Sequence, residues 1–234
     1  MTAEVAEPLG LVEGLRTTGA VRDFEDRPVP HDVLAKVFDT ARFAPNGGNQ
    51  QAWHIVLVED PELRRGMRDL YVDGWNRYLA MRAAGVQPWA PIGDREAEAA
   101  AIADADDGDP GGFAGDFDQV PVMAVLLADL RLLAATDRDL GRYTLVGGAS
   151  IYPFAWSVLL AAHAEGLGGV MTTMNVVHEP EVKALLQIPD DHAVVGVLAL
   201  GYPTKRATKL RRDPVDSFVT VDAFAGTPLR TDAP

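Results

Sequence analysis

ARFAPNGGNQQAW, residues 41–53, is the stretch from which the fold can be read. A helical apolar pattern runs into Pro45, which cannot continue a helix. Between that proline and Trp53 lie two glycines and the amides Asn46, Asn49, Gln50 and Gln51, and an apolar strand pattern follows. Such a turn carries more backbone N–H and C=O groups than its neighbours can satisfy, at the point where the chain enters its core. Those groups call for a partner.

Upstream of the turn, DVLAKVFDTARF (32–43) puts Val33, Leu34, Val37, Phe38 and Ala41 on one helical stripe, with Asp32 favourably near the N-terminus. Downstream, HIVLVED reads as a short buried strand and PELRRGMRDLY as a helix opened by Pro61. From about residue 72 to 119 the pattern decays into an irregular excursion punctuated by Trp75, Tyr78, Trp89, Phe113 and Phe117. It reads either as a lid over a ligand or as a surface loop.

Regularity returns with PVMAVLLAD, an apolar run suited to a central strand. In ASIYPFAWSVLLAAHAEGLGG, Ile151, Phe154, Ala155, Val158, Leu159 and Ala162 recur at helical spacing, while Trp156 and Leu160 make the opposite face apolar too. That helix runs through the middle of the domain or is covered by a second subunit. GVMTTM is a short strand or turn, EPEVKALLQI a helix, HAVVGVLALGYP a buried strand, and DSFVTVDAF a strand-like tail. Helices and strands mix without steady βαβ alternation, so the fold class is α+β, in one domain spanning 1–234.

Composition narrows the chemistry. The 234 residues carry a formal net charge of -13, which argues against a surface made to neutralise nucleic-acid or membrane phosphates. There is no cysteine, so disulfides, thiol nucleophiles and iron–sulfur ligation are excluded. The five histidines show no HExxH-like spacing. No apolar run reaches the ~18 residues of a membrane span, and MTAEVAEPLG is acidic where a signal peptide is basic, so the expected location is cytoplasmic. GLGG (166–169) follows a helix and fails as a dinucleotide fingerprint.

Four separated segments complement one another. RTTGAVRDF offers two arginines and two hydroxyls, and APNGGNQQAW offers open backbone and amides. GLGGVMTTM adds backbone and hydroxyls, and KLRRDPVD adds paired arginines. A ligand with an anion at one end and many neutral hydrogen-bonding groups at the other fits this set.

In order and spacing, VRDFEDRPVPHDVLAKVFDTARFAPNGGNQQAWHIVLVEDPELR, GLGGVMTTMNVVHEPEVKALLQIPDDHAVVGVLALGYP and RRDPVDSFV resemble the nitroreductase family of FMN-dependent oxidoreductases. The resemblance implies an α+β homodimer, a central mixed sheet flanked by helices, and FMN held between intertwined subunits. It implies NADPH or NADH as co-substrate, ping-pong hydride transfer through flavin N5, and a nitroaromatic or quinone-type small-molecule acceptor. It leaves room for a dehalogenase or dehydrogenase on the same scaffold, or for a non-catalytic flavin-binding protein.

Residue roles follow where the motifs match. Arg22 falls beside the flavin N1 and C2 carbonyl edge, as an electrostatic stabiliser of the reduced ring. Arg212 takes the phosphate, assisted by Arg211 or Lys209, and Arg16 stands in for a basic residue that the family has where this chain reads Thr17, Thr18, Gly19 and Ala20. Asn46 and Asn49 meet the ribityl hydroxyls and the polar edge of the ring, and Gln51 supports their turn. Trp53 packs in the core behind it. Thr172, Thr173 and Met174 form the segment whose backbone N–H approaches N5. No protein acid or base is implied.

Overall fold

The computed structural model of the protein describes residues 9–230 except Ala207. The acidic start at residues 1–8 lies outside them. In chain order the elements are α1 (Leu11–Thr17), α2 (His31–Ala41), β1 (Trp53–Leu57), α3 (Pro61–Ala83), α4 (Arg95–Ala103) and α5 (Gly112–Gly115). Then come β2 (Val122–Asp129), α6 (Tyr152–Ala164), β3 (Gly168–Thr172), α7 (Glu179–Leu186) and β4 (His192–Gly201).

The four strands form one sheet in the order β1-β2-β4-β3, with every neighbouring pair antiparallel. The expected mixed sheet is therefore corrected. Among the described residues parallel pairing is confined to the isolated bridge between Ala20 and Gly169 at the β3 edge. Strand β2 lies inside the sheet and is buried on both faces, which is why its sequence is continuously apolar. Ala124, Leu126 and Ala128 join a core with α2 and α6 residues such as Leu34, Val37, Phe154 and Val158. Met123, Val125 and Leu127 point the other way, into a core with Met67, Tyr71 and Val182 of α3 and α7. Each fully buried large apolar side chain contributes about 1.5–3 kcal/mol relative to exposure.

Strand β4 shifts register opposite Leu126 and Leu127, which pair with Gly196 and Val194 and leave Val195 between them. This bulge lies where β3 ends, since Thr172 pairs with Val197. A Cβ on Gly196 would come within 2.8 Å of the Thr172 carbonyl oxygen, so the bulge brings two backbones together at the strand end.

Helix α3 runs twelve residues past Tyr71, where the apolar pattern loses clarity. Its buried positions continue at helical spacing through Met67, Tyr71, Gly74 and Met81, but a glycine and the buried Asn76 interrupt the hydrophobic signal. Asp60 caps its start, accepting from the Glu62 and Leu63 backbone N–H groups at 2.9 and 3.0 Å. The excursion thus contains the second half of α3 together with α4 and α5. Arg64 pins its return: the guanidinium donates to the carbonyls of Asp118 (2.7 Å), Val58 (2.9 Å) and Val120. Burial lowers the Arg64 pKa, against the raising effect of Asp118 and Glu59.

Two further readings change. The tail 216–224 is not a strand: a 3-10 turn covers Val215–Ser217, and Thr220 bridges Pro228. Phe218 and Phe224 stand exposed there. Helix α6 buries Phe154, Ala155 and Val158 but leaves Tyr152 (51%) and Trp156 (39%) exposed on its outer face. Gly14 of α1 approaches Leu160, and α1 itself exposes Leu11, Val12 and Leu15. Among the described residues no helix is long and apolar enough to cross a membrane.

Candidate functional site

The turn after α2 is built from its own amide groups. Asn46 Oδ1 accepts from the Gln51 N–H at 2.8 Å, and Asn46 Nδ2 donates to the Ala44 carbonyl at 3.2 Å. The side chain of Asn46 therefore closes the turn. Inside it Gly48, Asn49 and Gln51 all adopt left-handed backbone, with φ of 60°, 54° and 49°. Non-glycine residues rarely sit there, and two such residues in one exposed turn concentrate strain of the kind found at ligand sites. The side chains of Asn49 and Gln51 point outward, exposed. The Gly47 N–H donates to Ser150 Oγ at 3.0 Å, tying the turn to the start of α6. Behind it Trp53 stacks on Phe154, ring centroids 4.6 Å apart and planes 4° from parallel.

The N-terminal arginines lie elsewhere. Arg16 lies in the last turn of α1, and Ala20 and Val21 then run along the β3 edge, with the Val21 N–H donating to the Gly169 carbonyl at 2.9 Å. Gly168 is required by this approach, because a Cβ there would meet Val21 Cγ2 at 2.8 Å. Packing thus accounts for GLGG. Arg22 is exposed and, with Phe24, Arg64, Phe113 and Asp116, lines an open cavity of about 870 Å³ between this segment and the excursion. Among the described residues none of Arg16, Arg22, Arg211 and Arg212 has a carboxylate partner within ion-pair distance, although most arginines of α3 are paired. Arg212 donates, among the described residues, only to the Arg211 carbonyl, at 2.7 Å.

At the end of β3, Thr172 is buried and its hydroxyl donates to Tyr71 Oη at 3.1 Å. Thr173 is exposed and Met174 half-buried at the start of a 3-10 turn, Met174–His178. Helix α3 grips this turn closely. Asn175 Nδ2 donates to the Met67 carbonyl at 2.8 Å, and a Cβ on Gly74 would lie 2.5 Å from the Met174 carbonyl oxygen. The His178 ring nitrogen Nε2 meets Asp73 Oδ2 at 2.5 Å. Asn175 Oδ1 is buried without a hydrogen-bond partner among the described residues.

Apart from the Thr172–Met174 segment held by α3, two sets of the expected site residues border opposite ends of α6. Asn46, Asn49 and Gln51 sit at its start, through Ser150. The segment carrying Arg16 and Arg22 meets its end, where Thr18 Oγ1 and His163 Nδ1 are 2.7 Å apart. At 1.5 Å per residue the helix separates these points by about 20 Å. No hydrogen bond or ion pair among the described residues joins Arg211 or Arg212 to either group. A C-terminal cation that reaches the loop just after α6 is Arg206, which donates to the Gly166 carbonyl. Burial lowers the pKa of His163, and the Arg206 charge adds to this. Tyr71, Ser150, Asn175 and Arg206 escape sequence reading because their partners lie far away in the chain. Among the described residues no His/Asp/Glu group is arranged to hold a metal ion.

The arrangement is that of an α+β protein with an exposed amide-bearing turn at one end of α6 and, at the other, a segment whose Arg16 and Arg22 have no carboxylate partner among the described residues. A sequence profile described as Nitroreductase family matches residues 15–202, and the chain belongs to that family. It is 29% identical over 201 residues to an NADH dehydrogenase of Thermus thermophilus, covering 86% of this chain and 90% of that protein. It is 25% identical over 209 residues to human iodotyrosine deiodinase 1, covering 88% of this chain and 66% of the deiodinase. Among solved structures, an FMN- and NADPH-dependent nitroreductase from sphigopyxis sp. strain HMH superposes with TM-score 0.64 at 26% identity, over 92% of this chain and 100% of that one. An iodotyrosine deiodinase bound to FMN and 3-iodo-L-tyrosine superposes with TM-score 0.65 at 20% identity, over 92% and 100% of the two chains. At that identity the likeness is one of fold.

Proposed function

We propose that the protein is an FMN-dependent oxidoreductase that takes hydride from NADH or NADPH and passes it to nitroaromatic or quinone-type acceptors in two half-reactions sharing one cleft. The observation that carries this reading is that Arg16, Arg22, Arg211 and Arg212 have no carboxylate partner within ion-pair distance among the described residues, in a chain of net charge -13. Uncommitted guanidinium groups in an acidic protein suit an anionic ligand. The donor chemistry fits FMN. The phosphate draws on Arg16, Arg211 and Arg212; the ribityl chain and ring edge draw on Asn49, Gln51 and the Gly48 backbone. The left-handed backbone of the turn is then held for that ligand by Asn46 and Ser150.

Bound FMN supplies a ring that accepts and returns hydride at N5. The protein's part is positioning and charge. Arg22, exposed beside the β3 edge, stabilises negative charge on the pyrimidine side of the ring. The turn Thr172–Met174 presents backbone toward N5, and because the Thr172 hydroxyl is committed to Tyr71, the chain path matters there more than the threonine side chain. The roughly 20 Å between the two groups of site residues is explained by a homodimer, in which the amide turn of one copy faces the arginines of the other. The exposed Tyr152 and Trp156 of α6 and Leu11, Val12 and Leu15 of α1 supply the apolar face for that association.

A second reading, reductive dehalogenation of a halogenated aromatic compound, is favoured by the deiodinase likeness over 88% of the chain. Purified protein is expected to bind FMN, to run as a dimer, and to lose its flavin colour on anaerobic mixing with NADH or NADPH, regaining it with a quinone. Colourless protein that refuses FMN overturns the proposal. Recovery of colour with a halogenated phenol and with neither quinone nor nitroaromatic selects the second reading.

A further inference from the structure

Tyr71 touches both the returning end of the excursion and the end of β3. Its ring is 1% exposed and stacks on Phe117 at 4.0 Å between centroids. Edge-on, it meets Phe113 at 5.9 Å, and it continues through Trp75 at 6.4 Å to the Trp75–Tyr78 pair at 5.2 Å. Phe113 and Phe117 belong to the returning end of the excursion, and Phe113 also lines the cavity beside Arg22. The hydroxyl of Tyr71 receives the Thr172 hydrogen bond at the last residue of β3. The neighbouring contacts of α3 fall on the same short turn: Met67 with Asn175, Gly74 with Met174, Asp73 with His178.

We propose that Tyr71 is a positioning residue, which through its hydroxyl bond to Thr172 fixes the path of the 172–174 turn and transmits the packing of Phe113 and Phe117 to it. The chemistry supports this in three ways. A hydroxyl pair removed from water is geometrically demanding, because losing one partner leaves the other unsatisfied. Ladder pairing with β4 ends at the Thr172–Val197 pair, next to the bulge, so beyond it the path of the turn depends on side-chain bonds and packing. Burial also keeps the phenol protonated, raising its pKa against the opposing pull of Thr172 and Arg22. The flavin side of this inference rests on the function proposed above, whereas the control of the turn does not.

The test compares the full-length parent with Tyr71→Phe, which keeps the ring and removes the hydroxyl. In flavin-free protein, hydrogen exchange at the amides of residues 173–175 is expected to quicken about fivefold or more, with exchange in β2 and β4 unchanged. In FMN-loaded protein the same variant is expected to shift the flavin reduction potential and to lower kcat with little change in the nicotinamide KM. Phe117→Leu is expected to move the same amides. Should Tyr71→Phe fail to fold, Thr172→Val removes the bond from its other end and Thr172→Ser restores it. Unchanged exchange at residues 173–175, or an increase spread evenly over the sheet, overturns the proposal whether or not flavin binds. Failure of the parent to bind FMN, with the local exchange effect intact, refutes the flavin assignment and leaves the control of the turn standing.

Discussion

The backbone N–H of Gly47 donates to Ser150 Oγ at 3.0 Å, joining the amide turn to the start of α6 across 103 residues of sequence. Ser150→Ala removes the acceptor. The bond is exposed, so water replaces part of it, and the expected loss of stability is only about 0.5–1 kcal/mol. The expected loss in FMN affinity is larger, because the turn must be ordered anew on binding. Denaturant unfolding and flavin titration measure the two effects; an affinity equal to the parent's removes the turn from the flavin site.

Arg22→Gln deletes a charge and keeps a polar side chain at an exposed position. A hydrogen bond to a charged group is worth about 1.5–3 kcal/mol, so hydride uptake is expected to slow about 10–100-fold at saturating FMN. Arg22→Lys retains much of the rate. Stopped-flow bleaching with NADH or NADPH reads the result.

Arg64 serves three carbonyls, those of Val58, Asp118 and Val120, and so fastens the returning excursion to β1 and α3. Arg64→Met leaves all three without that donor. A loss of about 3 kcal/mol is expected, seen as a lower urea midpoint at unchanged slope, with Arg64→Lys intermediate.

Gly74→Ala places a methyl group 2.5 Å from the Met174 carbonyl oxygen, which is backbone and cannot rotate away. Elsewhere in an exposed helix the same change is favourable. Here the expected outcome is destabilisation by about 1–3 kcal/mol and displacement of the 172–178 turn. Thermal unfolding together with the visible flavin spectrum checks both.

Acid stability involves Asp129. The Arg131 guanidinium, donating to both carboxylate oxygens at 2.9 and 2.7 Å, lowers the carboxyl pKa from 3.8 to about 2. A depressed carboxyl pKa favours the folded state above the unfolded value and loses that contribution as pH falls through the folded one. Asp129→Asn is therefore expected to flatten the stability curve between about pH 4 and pH 2. Urea midpoints measured across that interval are the check, and a variant curve parallel to the parent's contradicts it.

Local sequence was enough for what depends on local pattern. The stripe of α2, the stop at Pro45, the burial of β2 on both faces read from its continuous apolar run, and the proline-led starts of α3 and α7 all follow from propensity and spacing. The family motifs, too, are legible because they are contiguous. Tertiary structure alone decided the rest. It carried α3 past Gly74 and Asn76, since packing against Met174 and hydrogen bonding to Gly108 replace the missing apolar signal. It made the sheet antiparallel, because strand direction depends on pairings remote in sequence. It turned the Asn46 amide inward, paired Tyr71 with Thr172 across 101 residues, and set the amide turn and the segment carrying Arg16 and Arg22 at opposite ends of α6. Those are choices between distant partners, and a linear pattern holds no record of distance in space.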